Sequence, residues 1–143
     1  MGKLQEVLDK IRSYWGGMLD LGAVTFWEEY DPSVPKEEQY DMYGDHFGKS
    51  LCHAWAASPI YFLAKYFAGL DLVNKDGVTY VLKPQMQYFT DLDCILPVGS
   101  DGTVRLAWDG ECLEVIADAE GGVLELGEEK ISLVRGETRR VKI

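Results

Sequence analysis

The chain has 143 residues, which suits one domain or two small ones, and 47% of them are hydrophobic and 12% aromatic. This composition supplies enough apolar side chains for a folded core and excludes a disordered tail. The net charge of -10 at pH 7 argues against nucleic-acid binding, which needs clustered basic residues, whereas neutral ligands such as sugars are compatible with it.

The first predicted element is an amphipathic helix that begins close to Met1. Gly16 and Gly17 weaken this helix without ending it, and Gly22 is a plausible stop. The segment lacks the apolar core of a signal peptide. The apolar residues recur at three- and four-residue steps and therefore share one face: Leu4, Val7, Leu8, Ile11, Tyr14, Trp15 and Met18.

A polar, aromatic loop follows over residues 25–49 and is too long for a plain connector. Near its start, Glu28 stands directly after Trp27, and Glu29 and Asp31 follow. Acidic groups beside aromatic rings are typical of sugar-cleaving sites, because carboxylates act as acid or base while flat rings pack against sugars. Trp27 could also desolvate Glu28 and change its pKa. The alternative is an exposed acidic loop held in place by buried rings.

A second helix is predicted over residues 50–68, with Ser58 and Pro59 able to restart it and Gly69 able to end it. His53 on this helix is either a structural hydrogen-bonding residue or a ligand contact, and Trp55 is either core or ligand contact. Residues 54–73 are mostly apolar, but Pro59 and charged residues interrupt them, which favours a buried helix over a membrane span.

The hydrophobic period changes to two from about Val78 onward, which predicts short β-strands. Turns are expected at residues 109–110 and 135–136, where glycine follows a polar residue. Helices followed by strands indicate an α+β chain that ends in a small antiparallel β-sandwich or barrel. The predicted strand residues include two alternating sets and three short runs: Val104, Leu106, Trp108, Leu113, Val115 and Ala117, then residues 123–126, 131–134 and 141–143.

Metal binding and disulfide bonding are not indicated. The three cysteines are widely spaced and form no CxxC pair. Asp41, Asp45 and His46 lie close together in the sequence, but their spacing matches no calcium or zinc loop. We therefore expect no metal site, and solvated loop residues at these positions.

Three segments together resemble a known family. Residues 14–20 (YWGGMLD), 22–28 (GAVTFWE) and 50–55 (SLCHAW) resemble the last helices of the family 78 glycoside hydrolases, the bacterial and fungal α-L-rhamnosidases. The resemblance implies that residues 1–77 are the terminal helical hairpin of an (α/α)6 toroid, the six-hairpin fold. Residues 78–143 would be the β-sandwich domain that follows it in the family.

The resemblance also implies roles for particular residues. Glu28 matches the family's general base, and His53 matches the histidine that contacts rhamnose. Trp27 would help to form the wall of the sugar subsite, and Trp55 is a further candidate for substrate binding. Family members hydrolyse terminal α-L-rhamnosides with inversion and need no cofactor. Their general acid lies in earlier helices, so we expect this chain to be inactive alone.

Two other interpretations remain open. One is a six-hairpin hydrolase that acts on another sugar, and the other is a noncatalytic carbohydrate-binding or structural module. The expected partner is a carbohydrate in the parent enzyme, with no nucleic acid and no membrane, and the compartment is undetermined. The apolar helical face, together with Phe62 and Tyr66, also predicts self-association of this chain.

Overall fold

A computed structural model describes residues 2–75, 77–100 and 102–143 of the chain. It forms two compact units, one ending at Tyr61 and one extending from Phe62 to Ile143. The division between them falls earlier than the predicted domain boundary after residue 77. The first unit is mainly helix and loop, and the second contains all eight strands that the described residues form, so the chain is α+β.

The first helix, α1 (Gly2–Asp20), ends where the sequence predicts. Gly22 has a φ of 91°, and its N–H donates to Leu19 O while Ala23 N–H donates to Met18 O. This pair of bonds is a Schellman motif, which a glycine in the left-handed region permits. The predicted apolar face is the less exposed side of α1, and Leu8 and Met18 on it are fully buried. Leu8 is therefore not available to a self-association surface.

The second helical stretch is shorter than predicted. A 3-10 turn covers Ala54–Ala57, the α-helix α2 covers Ser58–Phe62, and a π-helical segment covers Leu63–Phe67. The change of helix type at Ser58 agrees with the predicted restart, and Gly69, at a φ of 73°, follows the last turn. Residues 50–53 are not helical, and His53 has extended backbone angles. The prediction of a helical His53 is wrong, because its N–H bonds to another segment.

Eight strands form two four-stranded sheets in the second unit. The first sheet has the order β1-β2-β6-β7 and the second the order β3-β4-β5-β8. Every pair in the second sheet is antiparallel, whereas in the first sheet β2 and β6 run parallel. The strands are β1 (Leu70–Lys75), β2 (Val78–Leu82), β3 (Leu92–Val98), β4 (Gly102–Trp108), β5 (Cys112–Asp118), β6 (Gly122–Leu126), β7 (Glu129–Leu133) and β8 (Thr138–Lys142).

Both sheets bury their inward residues in one apolar core, as in a β-sandwich. Tyr80 and Leu124 come from the first sheet, and Val104, Leu106 and Val115 from the second; all five are fully buried. The alternation read from the sequence for β4 and β5 is confirmed, since the apolar set faces this core. The helical half is not shown to be a hairpin of a toroid.

None of the helices that the structure describes is long and apolar enough to cross a membrane.

Candidate functional site

The segment that carries Glu28 lies against the C-terminal half of α1. The ring of Tyr30 occupies the space beside Gly17, where a Cβ atom would lie 2.4 Å from the ring. Tyr30 N–H also donates to Tyr14 Oη at 2.9 Å. The segment that follows His53 is attached to α1 as well, because Trp15 Nε1 donates to Ala56 O at 2.8 Å. Residues on both sides of the candidate site are therefore attached to the same helix.

Two non-helical segments, residues 25–28 and 50–53, are joined by backbone hydrogen bonds that bring the candidate residues together. Glu28 N–H donates to Ser50 O at 2.9 Å, and His53 N–H donates to Phe26 O at 2.8 Å. The Thr25 hydroxyl donates to a further carbonyl, that of Leu51. Glu28 and His53 are distant in sequence, and this backbone pairing places them next to each other.

The Glu28 carboxylate is held at both oxygens. The Tyr43 hydroxyl donates to Oε1 at 2.6 Å, and Ser50 N–H donates to Oε2 at 3.1 Å. His53 Nδ1 lies 3.7 Å from Oε2, close enough for an ion pair when the imidazole is protonated. The Glu28 side chain is only 11% exposed. It is thus shielded from bulk water but retains lone pairs for one further donor.

These contacts lower the pKa of Glu28. The hydrogen bond from Tyr43 has the largest effect, followed by that from Ser50 N–H, and the charges of His53 and Lys49 contribute less. Desolvation acts in the opposite direction but does not prevail. Desolvation is therefore present but does not set the direction of the pKa shift, and this carboxylate is ionised at neutral pH.

Tyr43 lies at the tip of a tight turn within the long loop. Met42 and Asp45 exchange two backbone hydrogen bonds of 2.9 Å, and Tyr43 and Gly44 between them have positive φ values of 55° and 82°. The sign of both angles is that of a type I′ turn. The Tyr43 side chain leaves this turn and ends at Glu28 Oε1.

Trp55 provides the exposed aromatic surface of the site. Its ring lies 4.7 Å from that of His53, measured between centroids, at an angle of 34°. The residue is 78% exposed, so its indole is available to pack against a ligand. The interpretation of Trp55 as a core residue is wrong, because most of its surface is exposed.

Trp27 has the opposite environment. It is only 4% exposed and belongs to a core cluster with Met18 and Ala23, and its ring meets that of Tyr40 edge-on. Little of its surface is free to form the wall of a sugar subsite. Its position favours packing as its role, with Glu28 carried on the backbone next to it.

The other polar residues singled out in the loop form local contacts. Asp31 caps its own turn by accepting from the Ser33 N–H and hydroxyl. His46 pairs with Asp41 on the surface, and Asp45 accepts from Phe47 N–H. Among the residues that the structure describes, no group of three potential metal ligands comes together.

The arrangement can accept a proton and bind a hydroxylated ligand. An ionised carboxylate can deprotonate a water molecule, a neighbouring imidazole can bond a hydroxyl, and an exposed indole can pack on a sugar face. Sequence reasoning does not find two contributors, Tyr43 and Lys49. The glycine after Tyr43 is the one available sign of a turn there.

No protein-family model matches the chain, and no curated protein matches it. Function is therefore inferred from the motifs and from the geometry around Glu28.

Proposed function

We propose that this chain is the C-terminal part of a six-hairpin glycoside hydrolase of the α-L-rhamnosidase type, with Glu28 as its general base. One observation supports this most strongly. Glu28 and His53, which the family resemblance links to a single site, lie 3.7 Å apart between Oε2 and Nδ1. Sequence distance alone does not require that proximity.

In the proposed reaction, Glu28 removes a proton from a water molecule while the oxygen of that water forms a bond to the anomeric carbon of a terminal rhamnose. The bond from that carbon to the aglycone oxygen breaks on the opposite face, so the configuration inverts. A general acid elsewhere in the parent enzyme protonates the departing oxygen. His53 bonds a sugar hydroxyl, and Trp55 packs against the ring.

The lowered pKa of Glu28 is consistent with this role, because a general base must be deprotonated before the water arrives. A general acid would need the opposite shift, since it must carry a proton at the working pH. The surroundings of Glu28 therefore support the base and not the acid.

The test uses the intact parent enzyme and an aryl α-L-rhamnoside. Glu28→Gln is expected to lower kcat by roughly 10²- to 10⁴-fold with little change in KM, because the amide keeps the shape and loses the basicity. Product analysis by NMR should show the inverted anomer first. His53→Ala should act mainly by raising KM.

The exposed neighbour Glu29 provides a matched control, and Glu29→Gln should leave kcat near that of the wild type. A near-normal kcat for Glu28→Gln would make the base assignment wrong. Hydrolysis of other aryl glycosides in preference to the rhamnoside would support a six-hairpin hydrolase with another substrate. Turnover by these 143 residues alone, abolished by Glu28→Gln, would contradict the expected inactivity.

A further inference from the structure

The backbone at Tyr43 has a conformation that tyrosine rarely adopts. Its φ of 55° lies in the left-handed region, where the Cβ atom of most residues approaches the carbonyl oxygen too closely. Asparagine, aspartate and glycine are the residues usually found at this position of such a turn. A tyrosine here costs free energy that another residue would not.

Burial of the ring does not offset that cost. Tyr43 is 81% exposed, so its side chain gains little from the hydrophobic effect. Its side chain donates a 2.6 Å hydrogen bond to Glu28 Oε1. Strained residues that packing does not explain cluster at functional sites.

The bond from Tyr43 complements the one from Ser50. Tyr43 Oη holds Oε1, and Ser50 N–H holds Oε2, so the two donors approach different oxygens of one carboxylate. A glutamate carboxylate ordinarily rotates with little preference about its last bond. Two fixed donors define the plane of the group and hence the direction of its remaining lone pairs.

We propose that Tyr43 is a positioning residue that orients the Glu28 carboxylate toward the attacking water. The proposal rests on the function proposed above, and it adds a residue that the family motifs did not include. The phenol remains a proton donor over the working pH range, since the neighbouring Glu28 raises the pKa of Tyr43. Tyr43 itself acts through Glu28 and exchanges no proton with the substrate.

The first measurement is made on the 143-residue chain and needs no activity. The Glu28 carboxyl carbon is titrated by NMR in the wild type and in Tyr43→Phe, which keeps the ring and removes the donor. We expect the pKa of Glu28 to rise in the variant. Lys49 and His53 also face Glu28, and Glu29 faces Tyr43, so His53 is titrated in parallel to detect any indirect change.

The second measurement is the pH dependence of kcat/KM in the parent enzyme. The base is active when ionised, so a higher pKa of Glu28 moves the acid limb of the profile to higher pH in Tyr43→Phe. Loss of orientation should also lower kcat about 10- to 100-fold while KM stays within a few-fold. A purely structural role would not move the acid limb.

The variant Tyr43→Asn distinguishes the role of the Tyr43 hydroxyl from the role of the backbone turn. Asparagine tolerates the positive φ but cannot place a donor at the same point, so we expect it to lose kcat as Tyr43→Phe does. An acid limb and a Glu28 titration that both stay at wild-type values in Tyr43→Phe would overturn the proposal. A second outcome separates the two proposals. If the pKa of Glu28 rises in Tyr43→Phe but Glu28→Gln retains full kcat, Tyr43 does bind the Glu28 carboxylate, and the proposed function is wrong.

Discussion

Replacing Trp27 with alanine distinguishes a packing role from a sugar-binding role. Trp27 is 4% exposed and shares the core of the first unit with Met18 and Ala23, the other fully buried members of that cluster. Alanine would remove the indole and its edge-on contact with Tyr40, whose centroid lies 5.5 Å away. The segment that carries Glu28 would lose one of its attachments to the end of α1, while the contacts of Tyr30 with that helix remain.

The expected loss in free energy of unfolding is large for a unit of this size. Replacing a buried tryptophan with alanine typically costs about 3–5 kcal/mol, because the lost transfer free energy adds to that of the cavity. A unit of about sixty residues has a free energy of unfolding of roughly 3–9 kcal/mol at typical values per residue. We therefore expect Trp27→Ala to remove about half or more of the free energy of unfolding of the first unit, and Trp27→Phe to cost only about 1–2 kcal/mol.

Hydrogen exchange of peptides from α1 measures this loss directly. Exchange should accelerate by about two to four orders of magnitude in Trp27→Ala, since each 1.4 kcal/mol corresponds to a factor of about ten. Trp55→Ala is the matched control, because Trp55 is 78% exposed and its removal should leave exchange in α1 unchanged. Wild-type exchange in Trp27→Ala, combined with weaker sugar binding, would refute the packing role and restore Trp27 as part of the sugar subsite.

Three further predictions concern stability and association. Gly16→Ala should stabilise α1 by about 0.5–1 kcal/mol, because the added Cβ would meet no atom within 4 Å apart from its chain neighbours and the backbone of α1 itself. Gly17→Ala should destabilise α1, because its Cβ would clash with the Tyr30 ring. Urea unfolding compares the two variants, and equal effects would contradict the close contact between Gly17 and Tyr30. The hydrogen bond from Tyr43 lowers the pKa of Glu28 in the folded chain, and the hydrogen bond from Arg105 lowers the pKa of Asp93. The stability that these carboxylates confer is therefore present above about pH 4.5 and is lost as the pH falls through the folded pKa values. Urea unfolding at several pH values should show this decline, and constant stability down to about pH 2 would count against it. Light scattering should show dimers or larger species, and a clean monomer at high concentration would argue against self-association.

The sequence predicts those elements that have a regular apolar pattern. The end of α1 shortly before Gly22 and the burial of Val104, Leu106 and Leu113 in the sheets follow from periodicity and turn chemistry. Strand β1 escapes prediction because the residues after Leu70 are all largely exposed, so no alternation of buried and exposed positions marks the strand. Its backbone hydrogen bonds to β2 define it as a strand instead.

The candidate site is harder to predict because its geometry depends on loop backbone. The sequence predicts His53 on a helix, but its N–H bonds to Phe26 O and its backbone is extended. Hydrophobic periodicity carries no signal for that pairing. The position of Tyr43 depends on a turn with two positive φ values, and a tyrosine at such a place is the opposite of what turn preferences predict.

The parallel pairing of β2 with β6 has a consequence for how the chain folds during synthesis. The ribosome releases β1 and β2 long before β6, and the whole of β3, β4 and β5 emerges in between. Until residues 122–124 of β6 are available, β2 presents an unpaired edge, and a two-stranded ribbon of this kind is marginally stable in water. The hairpins of the second sheet can form first, since their contacts are local. A nascent chain that stalls before residue 122 would therefore expose β2 to aggregation, and completion of β6 removes that hazard.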